Sequence, residues 1–267
     1  MGIKKQNMGS VNTDNRFFRI ISKLDIKNEN LIKGIHLEGL RVIGNPNQFA
    51  KKYYNSGIDE IFYHDAVASL YGRNSLEKVL NKTIEEVFVP ITVGGGIRNE
   101  NDAMKLFSNG ADKISINSAA VKDPNIIKKL FKKLGAQSVV ISIEAKKISE
   151  YEWEVYIENG REKTGIKVSE WIKKIIDLGA GEIILTSIDK EGTKRGPDFY
   201  LAETASKIST IPLIYCGGFG TIDHIIKLVK NSNVDGIALA SVLHYEKLEI
   251  SEIKNKLKKI VNIRTDY

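Results

Sequence analysis

One pattern occurs twice in this chain, and it limits the possible folds more than any other feature. Ile91-Thr92-Val93-Gly94-Gly95-Gly96-Ile97 returns as Leu213-Ile214-Tyr215-Cys216-Gly217-Gly218-Phe219-Gly220. Each copy is a short apolar run after a proline (Pro90, Pro212), then glycines, then a polar opening to a helical pattern. A strand that hands over to a helix through glycines lets backbone N–H groups approach an anion closely, and the helix dipole favours negative charge there. Two such turns predict two phosphate cradles.

The repeat extends beyond the glycines. Asp25 aligns with Glu144, Gly95-Gly96 with Gly217-Gly218, and Ala111 to Ser118 with Val234 to Ser241, at separations of 119, 122 and 123 residues. Between these marks, apolar strand runs alternate with helical patterns through eight units. Parallel strands joined by right-handed helical crossovers close at that number, so the expected fold is a (β/α)8 TIM barrel built from two half-barrel repeats. An open doubly wound sheet leaves the twofold pattern unexplained.

Two segments depart from the alternation. Residues 1–15 are polar and aperiodic and are expected to be a flexible N-terminal tail, with residues 16–267 forming one barrel domain. Tyr151-Glu152-Trp153-Glu154-Val155-Tyr156 alternates in period two towards Asn159-Gly160, which predicts a β-hairpin inserted between units. The stretch from Lys27 to about Asn45 reads as a long loop after the first strand.

Composition narrows the function. No apolar run reaches the ~18–20 residues of a membrane span, and the amino terminus lacks a signal-peptide core, so a cytoplasmic enzyme is expected. Cys216 is the only cysteine and the four histidines lack ligand spacing, so no metal site and no cofactor are predicted. The net charge of +7 comes from lysines scattered over helix faces, which suits phosphorylated ligands and a solvated surface better than nucleic acid.

Barrel chemistry sits where strands end. Asp25 and Glu144 close strands of equivalent position in the two halves, and a carboxylate pair there can divide acid and base roles. Gly95 and Gly96 are expected to act with Asn117 and Ser118, and Gly217 and Gly218 with Ala240 and Ser241. Two anion sites flanking two acids imply an elongated ligand with a phosphate at each end. At the opposite strand ends, Arg19, Glu60, Lys113 and Glu182 place two positive and two negative groups around the bottom opening.

These residues carry a resemblance. Arg19 to Lys27, Val93 to Ile97, Ala111 to Ser118, Leu185 to Asp189 with Gly192-Thr193, and Leu239 to Ser241 resemble the cyclase subunit of imidazole glycerol phosphate synthase, the HisF family, from about Phe17 to the C-terminus. The resemblance implies a lyase of histidine biosynthesis. It would take ammonia from a HisH-like glutaminase partner and convert a bis-phosphorylated aminoimidazole carboxamide ribonucleotide to imidazole glycerol phosphate and a purine precursor. It assigns Asp25 as general base, Glu144 to the general-acid position, Lys33 to a mobile first loop, and Gly192, Thr193, the paired glycines and Ser241 to phosphate sites. Arg19, Glu60, Lys113 and Glu182 match its ammonia gate. Glu144 and Glu191 stand where the family carries aspartate, and Lys23 where it has a small residue or cysteine. Two other readings stay open: a paralogue delivering ammonia to a sugar-modifying amidotransferase, and a non-catalytic barrel that activates a glutaminase.

Overall fold

The structure, a computed structural model, describes residues 16–68 and 76–265. The expected tail over residues 1–15 lies outside the described residues. Eight parallel strands close on themselves: β1 (Arg19–Lys27), β4 (Glu60–Asp65), β5 (Ile91–Gly94), β6 (Lys113–Ile116), β7 (Val139–Ser149), β10 (Glu182–Ser187), β11 (Leu213–Cys216) and β12 (Gly236–Leu239). β12 pairs with β1 and β7 with β10, so the ring has no open edge, and the expected TIM barrel is formed.

Period-two alternation sorts each strand between two cores. Ile20, Leu24, Ile61, Tyr63, Ile114, Ile141, Ile183, Leu213 and Ile237 belong to the large outer core that packs under the helices. Their alternates Ile21, Phe62, Val140, Ile184, Ile214, Cys216 and Ala238 fill the barrel's interior as a separate cluster. The helix Val168–Asp177 illustrates how the outer layer forms. Val168, Trp171, Ile172 and Ile175 recur at helical spacing and are all buried, each burial contributing about 1.5–3 kcal/mol.

The two halves repeat in backbone detail. Asn99 and Thr221 cap equivalent helices, Glu100–Ser108 and Ile222–Asn231, with nearly the same extended geometry. Asn117 (φ −126°, ψ −83°) and Ala240 (φ −130°, ψ −87°) share an unusual conformation ahead of the short helices Ser118–Lys122 and Ser241–His244. Asp112 accepts the Ile91 N–H at 2.8 Å and Asp235 accepts the Leu213 N–H at 2.9 Å.

Two segments differ from the sequence reading. Residues 27–45 are not a loop but an antiparallel hairpin, β2 (Asn30–Ile35) and β3 (Glu38–Gly44), extending the end of β1. Its tip turns through His36 and Leu37, both at positive φ, a conformation that these side chains rarely adopt. The insertion near Trp153 is larger than one hairpin. β7 runs on past the barrel rim to pair with β8 (Glu152–Ile157), which pairs with β9 (Glu162–Lys167), and the expected Asn159-Gly160 turn joins those two. Trp153 Nε1 donates to Asp198 at 2.8 Å and fastens this extension to the barrel. Among the described residues, no helix is long and apolar enough to cross a membrane.

Candidate active site

The inward faces of the strands stack in layers. At the bottom, Arg19, Glu60, Lys113 and Glu182 form a closed ring. Arg19 donates to Glu60 at 3.0 Å and to Glu182, and Lys113 donates to Glu60 at 2.9 Å and to Glu182 at 2.8 Å. Each acid therefore meets both bases. Above this ring lies the apolar interior layer around Ile21 and Phe62.

The mouth begins one layer higher. Asp25 is buried at the end of β1 with three positively polarised neighbours. Lys23 Nζ lies 2.8 Å from its Oδ1, Lys33 Nζ lies 3.2 Å from its Oδ2, and His64 Nδ1 lies 3.2 Å from Oδ1. Lys33 also bonds Glu191. Burial alone would raise the pKa of Asp25, but the two lysines and His64 outweigh it and hold the carboxyl well below its usual range. Glu191 is lowered in the same way: Lys33 and Lys23 overcome its burial. Glu144 differs. Its burial is only partly offset by His64, Lys23 and an N–H bond from Gly160 at 2.8 Å, so its pKa is raised. The surroundings thus push the two strand-end acids in opposite directions, Asp25 down and Glu144 up.

The two glycine turns flank these acids and are built alike. Gly95 and Gly96 have φ of +96° and +71°, and Gly217 and Gly218 have +107° and +88°. A Cβ on Gly95 would stand 2.3 Å from the Asp65 carbonyl oxygen, and one on Gly218 would stand 2.3 Å from that of Gly196, so only glycine fits at either place.

Their surroundings differ sharply. The first cradle opens into a cavity of about 310 Å³, where Gly95, Gly96, Asn117, Ser118 and Glu144 come together with Arg98 and Lys122. On its wall Ser115 Oγ, Asn117 Oδ1 and Asn159 Oδ1 are buried without hydrogen-bond partners, as suits a pocket for a polar ligand. The second cradle gathers Gly192, Gly217, Gly218, Ala240 and Ser241 around only about 20 Å³. The β2–β3 hairpin packs beside it, against the Glu191-Gly192 turn and against Asn159 of the first cavity. His36 N donates to the Glu191 carbonyl at 2.9 Å, and Asn159 Nδ2 donates to that of Leu37 at 3.4 Å. A Cβ on Gly192 would stand 2.4 Å from the Gly34 carbonyl oxygen, which measures how closely the hairpin lies.

Two of the expected substrate- and phosphate-binding residues have their side-chain polar atoms engaged within the protein. Lys33 pairs with Asp25 and Glu191 in the carboxylate cluster, and Thr193 Oγ1 donates within its own turn to the Lys190 carbonyl, 2.7 Å away. Sequence reasoning did not single out His64, although its place at the end of β4, in register with Asp25, marks it once the strands are paired.

Comparison with known proteins agrees with this geometry. A family model described as "Histidine biosynthesis protein" matches residues 19–249. The "Imidazole glycerol phosphate synthase subunit HisF" of Legionella pneumophila is 53% identical over 205 residues, covering 77% of this chain and 97% of that protein. The chain belongs to the HisF family. The protein of the same name from Bacillus cereus strain Q1 is 43% identical over 240 residues, covering 90% of this chain and 95% of its own. A second Bacillus cereus HisF, from strain ATCC 10987, shows the same identity and coverage. Within this HisF-family barrel, then, the acids, glycine turns and bottom ring occupy the strand ends at which barrels place chemistry and stability respectively.

Proposed function

We propose that this chain is the cyclase subunit of an imidazole glycerol phosphate synthase, a lyase of histidine biosynthesis. Ammonia reacts at its mouth with a bis-phosphorylated aminoimidazole carboxamide ribonucleotide, giving imidazole glycerol phosphate and an aminoimidazole carboxamide ribonucleotide. The observation that supports this reading most is that the strands ending in Asp25 and Glu144 alternate around the barrel with the strands ending in the two glycine turns. A ligand with a phosphate at each end bridges such cradles and lays its middle over the acids.

Ionised Asp25 takes the proton that the incoming nitrogen loses on bonding to carbon. Glu144, with its raised pKa, supplies a proton to the departing group. The ammonia arises on a separate HisH-like glutaminase subunit and enters from below, where Arg19, Glu60, Lys113 and Glu182 ring the opening. Cys216 is no substitute for a glutaminase nucleophile, because its Sγ is buried beside Glu191 and its pKa is pushed up to about 12 by burial and that carboxylate.

The test is turnover of the bis-phosphorylated substrate by the isolated chain with ammonium salt, which bypasses the partner. Wild-type turnover that falls at least about 100-fold in Asp25→Asn supports the proposal. A folded wild-type chain without turnover refutes it and returns the choice to a barrel serving a sugar-modifying amidotransferase or activating a glutaminase.

A further inference from the structure

Asp25 lines neither cradle cavity, and both of its carboxylate oxygens are engaged within the protein. Lys23 Nζ and His64 Nδ1 meet Oδ1 at 2.8 and 3.2 Å, and Lys33 Nζ meets Oδ2 at 3.2 Å. Among the described residues, His64 is the one of these three neighbours that also lines the 310 Å³ cavity, where it joins Glu144. Its side chain is 13% exposed against 6% for that of Asp25, so the imidazole stands between the buried carboxylate and the ligand space.

Strand β4 builds the ring into that place. Glu60, Phe62 and His64 alternate on its inward face, and so contribute in turn to the bottom ring, the apolar interior and the mouth. Phe62 supports the imidazole from below, with ring centroids 6.0 Å apart. β1 sets Asp25 in register with His64, and β5 sets Gly94 on the other side, which brings no side chain against the ring. With Asp25 ionised, the neutral ring carries its proton on Nδ1, in the bond to Oδ1. Nε2 is then a bare acceptor, and it meets no hydrogen-bond partner among the described residues.

We propose that His64 is a catalytic residue: its Nε2 receives the proton that the incoming nitrogen loses on bonding to carbon, while Asp25 fixes the tautomer of the ring and balances the positive charge so formed. This rests on the cyclase reading, and deepens it by making the base a carboxylate–imidazole pair. The nitrogen keeps the electron pair of the broken N–H bond, and the new N–H bond forms on His64. Lys23 and Lys33 are already matched in charge by Asp25 and Glu191, so an imidazolium here calls for a further carboxylate. Glu144 becomes one when it gives its proton to the departing group. The imidazolium then passes its Nε2 proton to Glu144, which restores both groups for the next turnover. Burial holds Glu144 high, whereas at Asp25 the two lysines outweigh burial and hold it low, so the proton ends on Glu144 rather than on Asp25.

The experiment measures ammonium-driven kcat and KM in wild type, His64→Asn and His64→Leu, each with and without imidazole in the buffer. Asparagine keeps an N–H donor for Asp25 and offers no proton acceptor in place of Nε2, whereas leucine removes both. The expected result is a loss of about 100-fold or more in kcat in both variants with KM within about threefold, and a saturable rise of at least about tenfold in His64→Asn on adding imidazole. A smaller loss in His64→Asn overturns the proposal, because a ring that merely orients Asp25 is replaced by the amide. Losses in both variants that imidazole leaves unrelieved overturn it as well. If the variants do not fold, nitrogen NMR of the His64 ring in the wild type decides: Nε2 without a proton at neutral pH supports the proposal, and a proton on Nε2 refutes it. Absence of turnover in the wild type fells this inference together with the cyclase reading, whereas wild-type turnover with an active His64→Asn fells only the role of His64.

Discussion

The hydroxyl of Tyr53 donates to His244 Nδ1 at 2.7 Å, and the opposite nitrogen of the same ring donates to the Lys23 carbonyl at 3.1 Å. That pair of bonds requires a neutral imidazole with its proton on Nε2. Burial, followed by the nearby Lys33 charge, pushes the pKa of His244 down to about 3. The ring thus joins the first helix, Pro46–Asn55, to the strand that carries the base.

A pH dependence of stability results. Because the folded pKa lies below the ordinary value of 6.5, the contribution of His244 is complete above pH 6.5 and is lost as the pH falls towards 3. Between pH 7 and pH 4.5, before Asp25 titrates, the chain should lose about 2–3 kcal/mol from this group. Thermal melts over that interval should show a falling Tm, and the fall should be markedly shallower in His244→Gln. An equal slope in the variant would assign the loss to other groups.

Glu144 has the opposite sign. Its raised pKa means that folding favours the protonated form, so stability falls as the pH rises through its titration. Glu144→Gln should therefore lower turnover by about 100-fold or more while raising Tm at pH 7.5. Loss of both activity and stability would contradict the reading of Glu144 as a buried acid whose ionised form is disfavoured by folding.

The second cradle can be tested through its backbone. At Gly218 a methyl group would enter the Gly196 carbonyl, whose residue also donates its N–H to the Gly218 carbonyl at 2.8 Å. Gly218→Ala should cost about 2–4 kcal/mol and abolish anion protection of that half of the mouth. Gly39→Ala is the control, because Gly39 has φ of +61° but nothing within 4 Å of its added Cβ. It should cost about 1 kcal/mol. Denaturant melts with and without inorganic phosphate separate the two effects.

Much of this architecture could be read before any coordinates, and the reasons differ by residue. Asp25 and Glu144 were visible because each ends a strand-like stretch, and the glycine turns because both copies place positive-φ positions after a short apolar run. The bottom ring was visible as charges at strand starts, and Arg19, Glu60 and Glu182 each fall one pleat below an interior apolar residue. The β2–β3 hairpin was hidden: its strands are half exposed, and its turn uses His36 and Leu37 rather than the asparagine or glycine that announces such a turn. The pairing of Lys23 with Asp25 was equally hidden. An inward lysine reads as a local anomaly until strand closure shows that no solvent reaches it and that Lys33 arrives on the same carboxylate from another element. His244 carried no motif at all, since its partners lie 191 and 221 residues away.

The ring at the base of the barrel limits how the chain can change. Arg19 and Lys113 each touch both Glu60 and Glu182, so removing any one member leaves two others with half their partners in a poorly solvated place. Single replacements at these four sites meet a barrier that a matched pair of replacements avoids. The four positions therefore act as one unit, and a mutational scan should tolerate change there best in combinations that keep the charge at zero.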